Sequence, residues 1–171
     1  ARLSSDVRFS LASVRDPAKA VTRANKSFAQ HDWADRFVTM LVAVIDPATH
    51  DCTLVNAGHM PPLLRRRDGT IEEVGEDESG LPLGVSDDYE FESYHFKLDP
   101  GDTLTMFTDG FSEAMNPDSE LYGLERLRAQ VASQAVDVEE LGHHVLADVR
   151  KFVGDHPQSD DMCLVCFGRS K

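Results

Sequence analysis

Residues Leu104–Asn116 read LTMFTDGFSEAMN. The apolar run Leu104–Phe107 has the composition of a core strand, and it stops abruptly at Thr108–Asp109–Gly110. A carboxylate followed by glycine at the end of such a strand is either a plain turn or a ligand for a hard cation held at the lip of a sheet. The rest of the chain has to separate these readings.

A second acidic strand end lies far away in sequence. Asp160 and Asp161 precede Met162–Phe167, MCLVCF, which reads as the last strand. If the two strands are antiparallel neighbours, the end of one lies beside the start of the other. Asp109 and Asp160 would then share one sheet edge. Two such carboxylates repel each other, and a divalent cation that prefers oxygen ligands, Mg²⁺ or Mn²⁺, removes that repulsion. Gly110 would let the backbone approach without a Cβ in the way. Asp161, one residue on, should point to the opposite face.

Outward from this pair, the sequence predicts an α+β fold with helices packed on paired antiparallel sheets. Leu3, Val7, Leu11 and Val14 have helical spacing. Asp16–Pro17 is an N-cap followed by proline at the first helical position, starting a second helix to about residue 30. FVTMLVAVID (37–46) reads as a strand buried on both faces, paired with CTLVNAG (52–58) in a hairpin. PPLLRRR and TIEEV flank Asp68–Gly69, which predicts a second hairpin with a type I′ turn. Glu76–Gly80 is an acidic, solvated loop. YEFESYHFKL (89–98) alternates as a half-exposed strand should. Pro100–Gly101–Asp102 turns the chain into the strand ending at Asp109. Two more helices follow, one around Leu124–Val131 and one opened by Asp137 with Glu140, whose buried stripe is Leu141, Val145, Val149 and Phe152. Trp33 and Phe37 are expected in the core.

Composition excludes several classes. The chain has 171 residues, enough for one domain with a real core. Its formal net charge of −13 argues against nucleic acid as a partner. The one basic cluster, Arg65–Arg67, reads as a solvated strand end. No run is long and apolar enough for a membrane span. Three cysteines, Cys52, Cys163 and Cys166, argue against a disulfide framework and fit a reducing cytoplasm. Cys163 and Cys166 have C-x-x-C spacing, but on a strand they face opposite sides and cannot chelate one ion. His143 and His144 are adjacent on a helix and point apart.

The ordered segments FVTM (37–40), NAGHMPPLL (56–64), GLPLGV (80–85), LDPGDTLTMFTDGFSEAMN (98–116), YGLERL (122–127) and SDDMCLVCF (159–167) resemble the SpoIIE-like branch of the PPM, metal-dependent, protein serine/threonine phosphatases. The resemblance implies antiparallel sheets flanked by helices. It implies hydrolysis of phosphoserine or phosphothreonine on a protein, with two Mn²⁺ or Mg²⁺ ions and no nucleophilic Ser or Cys. Typical partners would be phosphorylated anti-sigma-factor antagonists. Asp109 matches the metal-binding aspartate of T-D-G, and Asp160 the first aspartate of D-D-M. Asp161, Gly110, His59 and Thr108 are candidates for the rim. Thr108 would either bond a metal-bound water or fill a strand position. His59 would be either catalytic or held by structural hydrogen bonds.

The resemblance also implies early aspartates that residues 1–36 do not match, because Asp6, Asp16, Asp32 and Asp35 lie in helical or capping contexts. The expectation is therefore a single phosphatase domain over residues 1–171 that lacks its N-terminal strands. Such a chain would bind metal weakly, hydrolyse slowly or not at all, and expose a sheet edge open to self-association. The alternative is a non-catalytic, phosphatase-like module that docks a partner protein.

Overall fold

The structure is a computed structural model that describes residues 2–30, 37–133 and 137–170. The chain divides into two compact units, one built from Ala1–Pro61 and Gly75–Lys97, the other from Pro62–Val74 and Leu98–Lys171.

The first unit opens with α1 (Arg2–Ser13) and α2 (Pro17–Ala29). Asp16 caps α2 as its position predicts: its Oδ1 accepts from the backbone N of Ala18 at 3.0 Å and of Lys19 at 3.3 Å, satisfying donors that have no partner inside the helix. Strands β1 (Met40–Ile45), β2 (Asp51–Ala57) and β5 (Tyr94–Lys97) form an antiparallel sheet in the order β1-β2-β5. Ala18, Val21 and Phe28 of α2 bury against Val55 and Ala57 of β2, with Leu83 and Phe91 closing the cluster. The buried Asn25 fastens the loop after residue 80: its Nδ2 donates to Ser86 O at 2.7 Å, and its Oδ1 accepts from Gly84 N at 2.9 Å.

Three expectations are corrected in this unit. The 37–46 strand is not buried on both faces. It is the edge strand β1, half-buried along Met40–Ala43 and exposed at Val44 and Ile45. A continuous apolar run cannot report whether a strand is central or peripheral. Phe37 is not core, being 63% exposed. The neighbouring Val38 pairs with Leu83 and packs on the core, so alternation turns Phe37 outward. Trp33 lies outside the described residues, as do Asp32 and Asp35. The 89–98 strand is present only as β5. Phe91 N donates to Thr22 Oγ1 of α2 at 3.1 Å instead of joining a ladder.

The second unit contains β3 (Leu63–Arg65), β4 (Ile71–Glu73), β6 (Thr103–Phe107) and β7 (Leu164–Gly168), ordered β4-β3-β6-β7 and antiparallel throughout. The helices α3 (Leu124–Ser133) and α4 (Val138–Val153) pack on it through Leu127, Val131, Leu141, Val145 and Val149, all buried. Asp137 caps α4 through Oδ1, which accepts from Glu139 N and Glu140 N. The β3–β4 turn is not type I′. Among the described residues only His50 and Ser119 are non-glycines with positive φ, so Asp68 is not in that region, whereas Gly69 is, at φ 91°. Arg66 N bonds Thr70 O, which leaves a three-residue loop with glycine at the left-handed position.

The basic cluster is also corrected. Arg65 is buried, and its Nε donates to Ala132 O of α3 at 3.3 Å. Arg66 forms a two-pronged pair with Glu72, at 2.8 and 3.0 Å, and reaches Asp102 Oδ2 at 2.9 Å. These arginines tie the β3–β4 hairpin to its neighbours. The fold class agrees with expectation: α+β, with antiparallel sheets and four helices. No helix among the described residues is long and apolar enough to cross a membrane.

Candidate metal centre

The site is built where β6 ends and β7 begins. The two strands are adjacent and antiparallel, with Phe107 facing Leu164 and Thr103 facing Gly168. Beyond Phe107 the pairing persists for one further step, because Thr108 N donates to Cys163 O at 3.1 Å. The chain then turns: Phe111 N donates to Thr108 O at 3.1 Å, and Glu113 N to Asp109 O at 2.9 Å. Asp109 thus sits at the outer corner of a tight turn at the strand's end.

Across from it, Thr108 Oγ1 donates to Asp161 O at 2.9 Å, and a Cβ added to Gly110 would lie 2.5 Å from that same oxygen. Residues on both sides of Asp109 therefore touch Asp161, the neighbour of Asp160. The fold brings Asp109 and Asp160 to one end of one sheet from positions fifty-one residues apart. Gly110 is buried and has no room for a side chain.

Asp109, Asp160 and Asp161 are all exposed. No hydrogen bond or ion pair engages the Asp109 carboxylate among the described residues. Asp160 Oδ1 accepts from Asp161 N at 2.7 Å, which fixes the carboxylate against its own backbone. Its carbonyl accepts from Gln158 Nε2 at 2.6 Å. Thr108 neither stands idle in the strand nor has a free hydroxyl, since Oγ1 also accepts from Cys163 N at 2.9 Å. Sequence reasoning placed Thr108 at the rim but missed this bridge. The signal was a hydroxyl residue directly before the strand-ending aspartate.

His59 lies in the other unit. Its N donates to Asn56 Oδ1 at 2.8 Å, Asn56 Nδ2 donates to its carbonyl at 2.9 Å, and its Nδ1 is 3.0 Å from Met60 O. It is held by structural hydrogen bonds. His144 Nε2 lies 2.7 Å from Gln130 Oε1, bridging α4 to α3. The cysteines form no disulfide among the described residues: Cys163 is exposed, while Cys166 is half-buried with its Sγ 3.7 Å from Thr105 Oγ1. Burial pushes the Cys166 thiol pKa up, against the lowering effect of Thr105, so it is a poor nucleophile. Asp16 caps α2, and Asp6 accepts from Ser27 Oγ at 3.1 Å.

Carboxylate oxygens such as those of Asp109 and Asp160 suit a hard divalent ion. Among the described residues no group of three or more His, Cys, Asp or Glu side chains is placed to hold a metal.

The chain is 31% identical over 98 residues to the phosphoserine phosphatase RsbU of Bacillus subtilis, covering 57% of this chain and 29% of that protein. It is 28% identical over 138 residues to the phosphoserine phosphatase RsbP of the same organism, covering 81% and 32%. The chain thus spans about a third or less of the relatives it matches. Among solved structures, the SiaA-PP2C domain of Pseudomonas aeruginosa superposes with a TM-score of 0.83 at 18% identity, covering 97% of this chain and 67% of that one. The PP2C phosphatase domain of SpoIIE from Bacillus subtilis, with a fragment of its regulatory domain, gives 0.79 at 20% identity, covering 96% and 48%. These likenesses show the fold. The family described as Stage II sporulation protein E (SpoIIE) matches residues 2–170, and the chain belongs to that family of PPM-type phosphatases.

Proposed function

We propose that this chain carries part of the active centre of a metal-dependent phosphoserine/phosphothreonine phosphatase, with Asp109 and Asp160 as ligands of Mn²⁺ or Mg²⁺. The observation that supports this reading is the β6–β7 register, continued by the contacts of Thr108 and Gly110 with Asp161 O, which brings the chain at residues 109 and 160 to one sheet end. Phosphoserine as the substrate group is supported by the names of the relatives, RsbU and RsbP. The partner is a phosphorylated regulatory protein such as an anti-sigma-factor antagonist, and the setting is cytoplasmic signalling.

When bound, divalent ions supply an activated water and neutralise phosphoryl charge. The protein's part is to present carboxylates without competing donors. Asp109 does so from a turn whose backbone bonds are satisfied internally. Asp160 does so with one oxygen tied to its own chain and the other available. Near-octahedral shells need about six oxygens, so two carboxylates predict weak metal affinity and slow or absent turnover for this chain alone.

The same shortage of donors favours the second reading, a docking module that binds a phosphoprotein without hydrolysing it. Calorimetric titration with Mn²⁺, beside phosphate release from a phosphoserine protein, tests both. Weak binding that disappears in Asp109→Asn and Asp160→Asn supports the metal centre. Binding unchanged in both variants overturns it. Micromolar affinity with brisk turnover refutes the claim of an incomplete site.

A further inference from the structure

Regular antiparallel strands close each hydrogen-bonded pair with two reciprocal backbone bonds. The last pair between β6 and β7 is irregular. Thr108 N donates to Cys163 O, but the return bond from Cys163 N goes to Thr108 Oγ1 and not to Thr108 O. That carbonyl accepts from Phe111 N, in the turn that presents Asp109. The hydroxyl stands in for its own backbone carbonyl. It thereby lets β6 break into a turn without losing its last bond to β7. The hydroxyl's one proton then goes to Asp161 O. A single side chain thus grips the residue after Asp160 and the residue two further on. Gly110 completes the clamp, since Asp161 O fills the space where its Cβ would stand.

From this geometry we infer that Thr108 is a positioning residue: its hydroxyl fixes the Asp160–Cys163 segment against the Asp109 turn and so sets the spacing of the two carboxylates toward a divalent cation. The inference rests on the metal-centre reading above. Valine at this position keeps the shape but offers neither donor nor acceptor, so Cys163 N loses its acceptor and Asp161 O its donor. Serine keeps both functions. The effect reaches the metal only through Asp160, as with groups that orient the ligands of other metal sites, whose loss costs on the order of tenfold to a hundredfold in affinity.

The test follows Mn²⁺-induced paramagnetic broadening of backbone amides at 108–110 and 160–163, a readout that detects weak binding and needs no turnover. Amide exchange at Cys163 and the melting temperature are measured in parallel. Thr108→Val is expected to raise the Mn²⁺ concentration for half-broadening by about tenfold or more and to speed Cys163 exchange. Thr108→Ser is expected to restore both. If wild type broadens at these amides and Thr108→Val matches it, the positioning role is overturned while the metal centre stands. If wild type shows no broadening there that Asp109→Asn removes, the metal centre falls and the positioning role falls with it. A Thr108→Val variant that loses affinity while Thr108→Ser loses it equally also overturns the inference, because the hydroxyl is then not the cause.

Discussion

Replacing the buried Asp102 should destabilise the second unit far more than replacing an acidic residue on its surface. Asp102 is 2% exposed and accepts three hydrogen bonds: from Arg66 Nη1 at 2.9 Å, Arg67 N at 3.0 Å and Asp99 N at 3.1 Å. It joins the β3–β4 hairpin to the 99–102 turn, so two of its three bonds, those from Arg66 and Arg67, are long-range. In Asp102→Ala the two backbone donors lose a charged acceptor, at roughly 1.5–3 kcal/mol each. Arg66 keeps Glu72 and is not stranded; the ion pair between them, with burial opposing and Asp102 adding, raises its pKa. The expected loss is about 4 kcal/mol, a large part of a typical 5–15 kcal/mol stability. Asp102→Asn keeps one acceptor oxygen but turns an amide N–H₂ toward a donor, so about half that loss is expected. Glu72→Gln, on a 42% exposed partner, should cost under about 1 kcal/mol. Urea unfolding followed by circular dichroism reads all three. With a slope of about 2 kcal/mol/M, the Asp102→Ala midpoint should fall by roughly 2 M. Asp102 variants within about 0.5 kcal/mol of wild type would refute the assignment of this cluster as a structural clamp.

Other outcomes follow from single contacts. The Tyr122 hydroxyl donates to Asp148 Oδ2 at 2.7 Å, and burial, then Asp148, raises its pKa above the ordinary tyrosine value. Its contribution is thus fully present below the unfolded value of about 10 and lost as pH rises beyond it. The melting temperature should fall more steeply above pH 10 in wild type than in Tyr122→Phe, and parallel curves would contradict this. Gly110→Ala, meeting a backbone oxygen at 2.5 Å, should open the β6–β7 junction and abolish amide protection at Cys163, whereas Gly142→Ala in α4, with nothing within 4 Å, should stabilise by about 0.5–1 kcal/mol. Calorimetry showing the reverse order would be decisive against the packing argument. The β1 edge, uncharged from Met40 to Ile45 and exposed at its end, should promote concentration-dependent association that Val44→Lys suppresses; sedimentation of a monomer at high concentration would count against it.

How much of this was legible in the sequence depended on the range of the cause. Local signals read correctly: Asp16 and Asp137 cap helices because an N-cap needs only its own next three residues. The end of β6 just before Asp109 was also readable, since an apolar run and turn residues mark it, whereas β7 begins at Leu164, two residues later than the start expected directly after Asp160–Asp161. The antiparallel neighbourhood of β6 and β7 needed only the assumption that the two pair. What could not be read was set by distant partners. Edge position made β1 half-exposed despite its apolar run. Thr22, on a helix, took the Phe91 N–H that alternation had assigned to a strand. The arginine row looked solvated because Ala132, Glu72 and Asp102, which engage it, are spread along the chain.

The two ends of β6 show why residue type alone does not mark a site. Gly101–Asp102 and Asp109–Gly110 are mirror-image dipeptides flanking one strand, and both read as turns. At the first, three donors surround a buried carboxylate and fill its capacity to accept. A cation there would have to displace Arg66 and two backbone N–H groups. At the second, the donors of the turn are spent on backbone carbonyls and on the Thr108 hydroxyl, which leaves the carboxylate to solvent. The first carboxylate is thus committed to stability and the second is available for chemistry. The same substitution should therefore separate them. Asp102→Asn should lower the unfolding midpoint and leave the Mn²⁺ response of the folded molecules intact. Asp109→Asn should remove that response and leave the midpoint nearly unchanged. A variant at either position that moves both readouts equally would show that structural and functional acids are not divided along this strand.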